Sequence, residues 1–214
     1  MDKPTPVQTA QPGIFAAEAP TLSRQAAEDF LIHEARLLDD WQLEAWNQLF
    51  TDDGIYWIPL DETRPIGTSV SIVHDTALGR EERIFHLTRN SFPAQSPRSR
   101  TLHFISNVSV TMASASSEAL KATWGVLECG TQATGNPEAQ GADIIVRSNQ
   151  IVHEMRAGDV RQRGLGEVRS IVMTVEHVLR RAAPGDGVET LRIALKKVLL
   201  INRDSWLGNM TFLI

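Results

Sequence analysis

The sequence predicts an α+β fold in which N-terminal helices pack inside a strongly curved, mostly antiparallel sheet, giving a cone. Apolar residues recur at helical spacing near the N-terminus, whereas from Ser99 onward the hydrophobic period changes to two. Long strand-like segments then follow one another without helices between them, which favours antiparallel pairing. A cone of this kind has an interior that can hold a ligand.

Size and composition indicate one globular domain. The 214 residues carry 21 basic and 26 acidic side chains, and the net charge of −5 is small for a chain that is 42% hydrophobic. This balance argues against disorder, and the lack of a basic block argues against nucleic acid as a partner. We expect residues 1–20, which are rich in proline, to form an extended arm that is either mobile or lies on a neighbouring subunit. Residues 21–214 are expected to form the cone.

The chain has one cysteine, Cys129, and six histidines, none of them in a spacing typical of metal-ligand pairs. Iron–sulfur clusters and thiolate zinc sites need several cysteines. We therefore expect no metal or other cofactor in this chain. Sparse cysteine fits a reducing compartment, and the sequence shows no export signal or membrane-spanning segment, so we expect a cytoplasmic protein without a membrane partner.

The N-terminal half predicts helices and one strand. Thr21 or Ser23 can cap the first helix, which should end at Asp39–Asp40, and Asp75 can cap a later one. Residues 51–54 predict a turn, and residues 61–74 carry no clear pattern. The predicted elements are this first helix, a helix over Gln42–Phe50, a strand over Ile55–Leu60 and a helix over Thr76–Asn90.

The C-terminal half predicts strands separated by turn-rich linkers. The tail at Trp206–Ile214 alternates apolar and other side chains, which predicts a last strand docked in the sheet or on a partner. The other predicted strands are Ser99–Met112, Ala119–Gln132, Ile144–Met155, Ser170–Arg180 and Leu191–Asn202.

His103 is the residue with the clearest chemical interest. It lies on the first long strand, with Asn107 four residues further on and therefore on the same face of a regular strand. One hypothesis pairs His103 with Asp75 as an acid–base dyad inside the cone, which would make the chain a stand-alone dehydratase or isomerase. Alternatively, His103 is a structural histidine, hydrogen-bonded within the sheet or at an interface. A third hypothesis is a ligand-binding or homo-oligomeric module.

Several segments, in order along the chain, resemble the small (beta) subunit of bacterial aromatic-ring-hydroxylating dioxygenases, the Rieske non-haem iron oxygenases. The central one contains the sequence Arg-Ser-Arg-Thr-Leu-His-Phe-Ile-Ser-Asn-Val and is similar to that family's central strand. The matching segments are Glu34–Asp40, Trp46–Leu60, Pro97–Val108, Val146–Asn149, Lys196–Leu200 and Gly208–Ile214.

The resemblance implies a cone like that of nuclear transport factor 2 and cystatin, and a structural subunit without catalytic residues. It implies assembly with a large (alpha) subunit, typically three large and three small, with the small subunits also associating as a trimer. The large subunit would carry the Rieske [2Fe-2S] cluster and the mononuclear iron, with electrons from NADH. Candidate subunit-interface residues are Arg98, Arg100, His103, Asn107 and Trp206.

Overall fold

The computed structural model describes residues 22–89, 93–112, 143–158, 166–182, 190–208 and 210–214. Within these ranges the α+β prediction is confirmed, because N-terminal helices pack against a six-stranded, mostly antiparallel sheet. The elements are α1 (Arg24–Asp39), α2 (Leu43–Asn47), β1 (Phe50–Pro59), β2 (Ser71–Asp75), α3 (Ala77–Thr88), a 3₁₀ turn (Pro93–Gln95), β3 (Ser99–Met112), β4 (Ile144–Arg156), β5 (Val168–Ala182) and β6 (Thr190–Leu200). The predicted arm over residues 1–20 and the predicted strand over Ala119–Gln132 lie outside the described residues. The curvature of the sheet stays a prediction.

Helix α1 forms where the sequence predicts it. The Ser23 hydroxyl accepts a hydrogen bond from the Ala26 amide at 3.1 Å, so Ser23 is the cap. The helix ends at Asp39, as the Asp39–Asp40 pair indicates. Its buried face carries apolar side chains and one carboxylate, Glu34, which is 2% exposed. A charged residue in this position needs polar partners from elsewhere in the fold.

The sheet has the order β2-β1-β6-β5-β4-β3 among the described strands. Neighbouring strands are antiparallel except β1 and β6, which are parallel. Helix α1 packs on β3, and α2 continues from it toward α3. A single cluster of buried apolar side chains joins the helices to the inner face of the sheet, and a second, smaller cluster around Trp57 lies on the outer face.

Two N-terminal predictions need correction. The turn predicted at residues 51–54 is part of β1, which shifts register between Phe50 and Ile55 because Gly54 lets two backbones approach closely. The unassigned segment before α3 contains β2, a short edge strand that pairs with β1. Asp75 is the last residue of β2 and not the helix cap. Thr76 occupies the cap position without a side-chain hydrogen bond.

Strand β3 contains a bulge that reverses its alternation. Ser106 pairs with Asn149 and Ser109 with Arg147, so two residues of β3 lie opposite one of β4. Asn107, at a φ of 54°, adopts the left-handed conformation that asparagine tolerates better than most residues. Asn107 lies in the bulge itself and is exposed, whereas the His103 side chain is 1% exposed, so the prediction that the two share a face is wrong.

The C-terminal tail is buried but is not a strand. None of its described residues, 206–208 and 210–214, pairs in the sheet. Phe212, Leu213 and Ile214 are all nearly inaccessible, which breaks the predicted alternation, and Trp206 is 89% exposed. The tail is fixed by side-chain hydrogen bonds in place of a strand ladder: the Gln95 amide donates to Thr211 at 2.8 Å.

Candidate functional site

Ionisable side chains form one row across the inner face of the sheet. Tyr56 on β1 has two neighbours in register, Asp75 on β2 and Lys196 on β6. Lys196 in turn lies opposite His177 on β5. Because side chains alternate along a strand, residues in register point to the same face. Each of these four residues is at most 8% exposed. The row brings acid, phenol, amine and imidazole into the interior.

Glu34 contacts this row from α1, which packs on the inner face of the sheet. One carboxylate oxygen accepts hydrogen bonds from the Lys196 ammonium group at 2.8 Å and the Trp46 indole at 3.0 Å. The other oxygen lies 2.9 Å from Nε2 of His177. The four residues are at most 2% exposed. They form the polar centre of the core, which we call the Glu34 cluster.

The surroundings of Glu34 and Tyr56 fix the protonation of these two side chains at neutral pH. Burial alone would raise the pKa of Glu34, but the charge of Lys196 and the hydrogen bonds from Lys196 and His177 outweigh it and hold that pKa well below its usual range. Burial raises the pKa of Tyr56 above its ordinary value. The carboxylate therefore stays charged, and the phenol stays neutral.

Two histidine nitrogens lie buried without a hydrogen-bond partner among the described residues. They are Nδ1 of His177 and Nε2 of His103. The other nitrogen of each ring contacts a carboxylate, so each imidazole is held from one side only. Such atoms often mark places where a fold gives up some stability for another purpose.

The predicted His103–Asp75 dyad is not formed. The His103 ring binds Asp39 at 2.7 Å, and its backbone amide donates to the same carboxylate at 3.0 Å. Asp75 instead takes two hydrogen bonds from Arg83, at 2.5 and 3.0 Å. The physical reason is local: Asp39 ends the helix that packs on β3, and Arg83 lies two turns along α3 from Asp75. The His103 hydrogen bonds also lower the pKa of Asp39 against the opposing effect of burial.

The predicted interface residues fall into two groups. Arg98, Arg100, Asn107 and Trp206 are exposed. The Arg98 guanidinium stacks 4.5 Å from the centre of the Trp41 ring. His103 differs, because its side chain is only 1% exposed. It therefore holds α1 to β3 from inside and does not form part of the surface.

The outer face of the sheet carries an exposed apolar patch that the sequence did not predict. Phe104 lies opposite Ile151, which lies opposite Val172, so the patch crosses three strands. Its signal was present in β3, where both alternating faces carry apolar side chains. We call it the outer patch, and its members, each 39–66% exposed, are Leu102, Phe104, Ile151, Val168 and Ile201. Contiguous exposed apolar surface of this kind marks an interaction site.

The residues that the structure describes do not fit a metal or an iron–sulfur cluster. No group of three or more His, Asp or Glu side chains gathers in ligand geometry among them, and Cys129 lies outside the described ranges. In the same part of the chain, no helix has the length and apolar character needed to cross a membrane.

Comparison with known proteins gives a sequence family. The family described as "Ring hydroxylating beta subunit" matches residues 33–135. The small oxygenase component of the p-cumate 2,3-dioxygenase system of Pseudomonas putida is 39% identical over 97 residues, covering 44% of this chain and 54% of that protein. The toluate 1,2-dioxygenase beta subunit of Pseudomonas putida is 35% identical over 94 residues, covering 41% of this chain and 58% of that protein.

Solved structures share the fold over most of the chain. The beta subunit of benzoate 1,2-dioxygenase from Burkholderia mallei aligns with 91% of this chain and all of that one, with a TM-score of 0.57 and 22% identity. A naphthalene 1,2-dioxygenase with indole in its active site aligns with 89% of this chain and 85% of that one, with a TM-score of 0.59 and 18% identity. By sequence, the chain spans only a little over half the length of the curated relatives it matches. The resemblance drawn from the motifs is confirmed, because residues 33–135 match the ring-hydroxylating dioxygenase beta subunit family.

Proposed function

We propose that this chain is the small, structural subunit of a multicomponent aromatic-ring-hydroxylating dioxygenase. Its relatives are named as small or beta subunits of dioxygenases for p-cumate and toluate, which supports an aromatic compound as the substrate of the complex. The partner is a large subunit that carries the Rieske [2Fe-2S] cluster and the mononuclear iron, with NADH as the electron source. The complex is cytoplasmic and contains three large and three small subunits.

The observation that carries this proposal is where the chain places its polar and apolar groups. The Glu34 cluster is buried and its charges are paired within the core. The outer patch, in contrast, exposes apolar side chains on the outer face of the sheet, as a docking surface does. This distribution favours assembly over catalysis as the role of the chain.

The outer patch is our candidate for contact with a neighbouring subunit. Fully burying a side chain such as Phe104 or Ile151 contributes about 1.5–3 kcal/mol relative to leaving it exposed. Arg100 lies two residues from Leu102 on the same strand face, and arginine is enriched at interfaces. Arg98, Asn107 and Trp206, which are also exposed, remain candidates for contact with a neighbouring subunit.

The experiment is co-purification with a large subunit whose sequence contains the C-x-H and C-x-x-H cluster motifs. We expect a stable complex on size-exclusion chromatography, with iron and oxygen-dependent turnover in the complex and no stoichiometric iron in this chain alone. Phe104→Asp should prevent assembly, whereas the control Leu78→Asp, at a more exposed apolar residue on α3, should not. One or more tightly bound iron atoms per isolated chain, or no complex with any such large subunit, would contradict the proposal.

A further inference from the structure

The C-terminal segment fills the interior of the fold. Phe212, Leu213 and Ile214 are 7%, 5% and 1% exposed, although the segment belongs to no helix or strand. A small cavity of about 10 Å³ lies beside Phe212 and Leu213 and is lined also by Leu38 and Leu43. The side chains of residues 212–214 thus fill part of the space between the helices and the sheet.

A polar network holds this segment in place. Thr211 accepts a hydrogen bond from Gln95, and its hydroxyl donates to the Ala94 carbonyl at 3.4 Å. Arg169 donates to the Leu207 carbonyl at 3.3 Å, and its guanidinium lies 5.6 Å from the centre of the Phe212 ring. These contacts anchor the segment before it enters the interior.

The anchoring side chains are themselves fixed by buried hydrogen bonds. Glu154 accepts from Arg169 at 2.7 Å and from the Ser99 hydroxyl at 2.6 Å. Ser99 also binds Gln95 through its amide at 2.8 Å and its hydroxyl at 3.0 Å. Gln95 and Arg169 are thus held by hydrogen bonds that do not involve the side chains of residues 212–214.

Beneath the segment lies the polar row of the sheet. The Ile214 amide donates to the Tyr56 hydroxyl at 3.4 Å, which is a long hydrogen bond. The Tyr56 ring lies 5.6 Å from the Trp46 ring and 5.9 Å from the Lys196 ammonium nitrogen. The segment therefore ends at the Tyr56 hydroxyl, in the row of polar side chains that also contains Lys196 and His177.

We infer that the interior is a small-molecule site whose present occupant is the chain's own residues 212–214. When they leave, apolar walls and the Tyr56 hydroxyl are open to a ligand. Glu34 and Lys196 neutralise each other, so a charged ligand would enter without a counter-charge, at a high desolvation cost. The ligand class is therefore a neutral, largely apolar molecule of about one ring with one hydrogen-bond acceptor. This inference does not depend on the dioxygenase proposal.

The test uses the chain with residues 210–214 deleted, and acetophenone and ethylbenzene as probes that differ in one carbonyl. We expect the shortened chain to bind acetophenone with a Kd of about 1 mM or tighter, and about tenfold more tightly than ethylbenzene, because of one hydrogen bond. The full chain should bind neither probe. Tyr56→Phe in the shortened chain should abolish the preference for acetophenone.

A second variant, Leu213→Ala/Ile214→Ala in the full chain, keeps the Thr211 and Arg169 anchors and should show the same preference. Its control, Val178→Ala, opens space in the core cluster on the other face of the sheet and should show none. Equal binding of both probes would mean an ordinary cavity and would overturn the inference. Folded variants that bind neither probe would also overturn it. So would failure of both variants to fold, since the segment would then be indispensable core.

Discussion

The carboxylate of Glu34 lies 2.8 Å from the ammonium nitrogen of Lys196, joining the first helix to the last strand across 162 positions of sequence. Neither group is solvated, since Glu34 is 2% and Lys196 1% exposed. A buried charge is tolerated when its partner and its remaining hydrogen bonds are all in place. His177 and Trp46 supply the remaining contacts to the carboxylate, so the pair depends on four elements at once.

Replacing Glu34 with glutamine should destabilise the fold strongly. The change leaves the Lys196 charge buried without a counter-charge, and breaking a buried pair in this way costs about 3–5 kcal/mol. The measurement is the free energy of unfolding in urea. Glu28→Gln is the matched control, because Glu28 pairs with Arg24 on the exposed side of the same helix and should change the free energy by less than about 1 kcal/mol. Equal effects of the two substitutions would show that the buried pair does not stabilise the fold.

Acid should unfold the protein partly through Glu34. Its pKa in the folded state is held below the ordinary value of 4.5, so the unfolded chain binds its proton first as the pH falls. The stabilisation is complete above about pH 4.5 and is lost as the pH falls toward the folded-state pKa. One such group changes the free energy of unfolding by at most about 1.4 kcal/mol per pH unit.

The check on this prediction is the pH dependence of unfolding in the Glu34→Gln variant. Its free energy of unfolding should fall less steeply below pH 4.5 than that of the unmodified chain. Asp39 and Asp53, whose folded-state pKa values are also lowered, remain in both proteins and give both the same residual slope. Identical slopes in the two proteins would be inconsistent with a depressed pKa at Glu34.

Arg80→Lys tests whether the planar shape of the buried Arg80 guanidinium contributes to stability. The Arg80 guanidinium donates to the Asn47 side chain at 2.8 Å and to the Gly54 carbonyl, and stacks 4.1 Å from the centre of the Phe50 ring. Burial lowers its pKa to about 10. A lysine cannot make this planar set of contacts, so we expect a loss of about 1–3 kcal/mol in thermal or urea unfolding. Arg89→Lys, at an exposed position just after the same helix, should be neutral, and similar losses at both sites would refute the prediction.

Local patterns in the sequence predicted the helices and strands well, but they predicted poorly which side chains contact one another across the fold. The periodicity of α1 shows that Glu34 lies on a buried face, but its partners Lys196 and His177 come from strands far along the chain. Lys196 and Lys197 illustrate the difficulty: strand alternation sends the first inward to Glu34 and the second outward to lie 5.2 Å from the centre of the Trp57 ring. Nothing in the sequence states which lysine faces which way until β6 is placed in the sheet.

Two further features depended on tertiary structure. The bulge at Asn107 adds one residue to β3, which reverses the faces of all later positions, and no period-two pattern can reveal it in advance. The tail was predicted to be a strand because Met210, Phe212 and Ile214 alternate with other residues. Its burial follows instead from filling the space between helices and sheet, where all three of its last side chains have neighbours.

His103 decides between the structural and the catalytic account of this chain. Its ring and backbone amide both bind Asp39, which fastens the end of α1 to β3. His103→Ala should therefore lower the free energy of unfolding by about 1–3 kcal/mol, because the Asp39 carboxylate loses a partner. His33→Ala, at an exposed position on α1, is the matched control and should leave stability unchanged.

The most direct measurement is oxygen-dependent turnover per assembled complex, with His103→Ala chains purified together with the large subunit. The structural account predicts a smaller yield of complex whose turnover per iron stays within about twofold of the unmodified complex, a barrier change below about 0.5 kcal/mol. A complex that assembles normally but turns over about a thousandfold more slowly, the scale of lost acid–base catalysis, would contradict it.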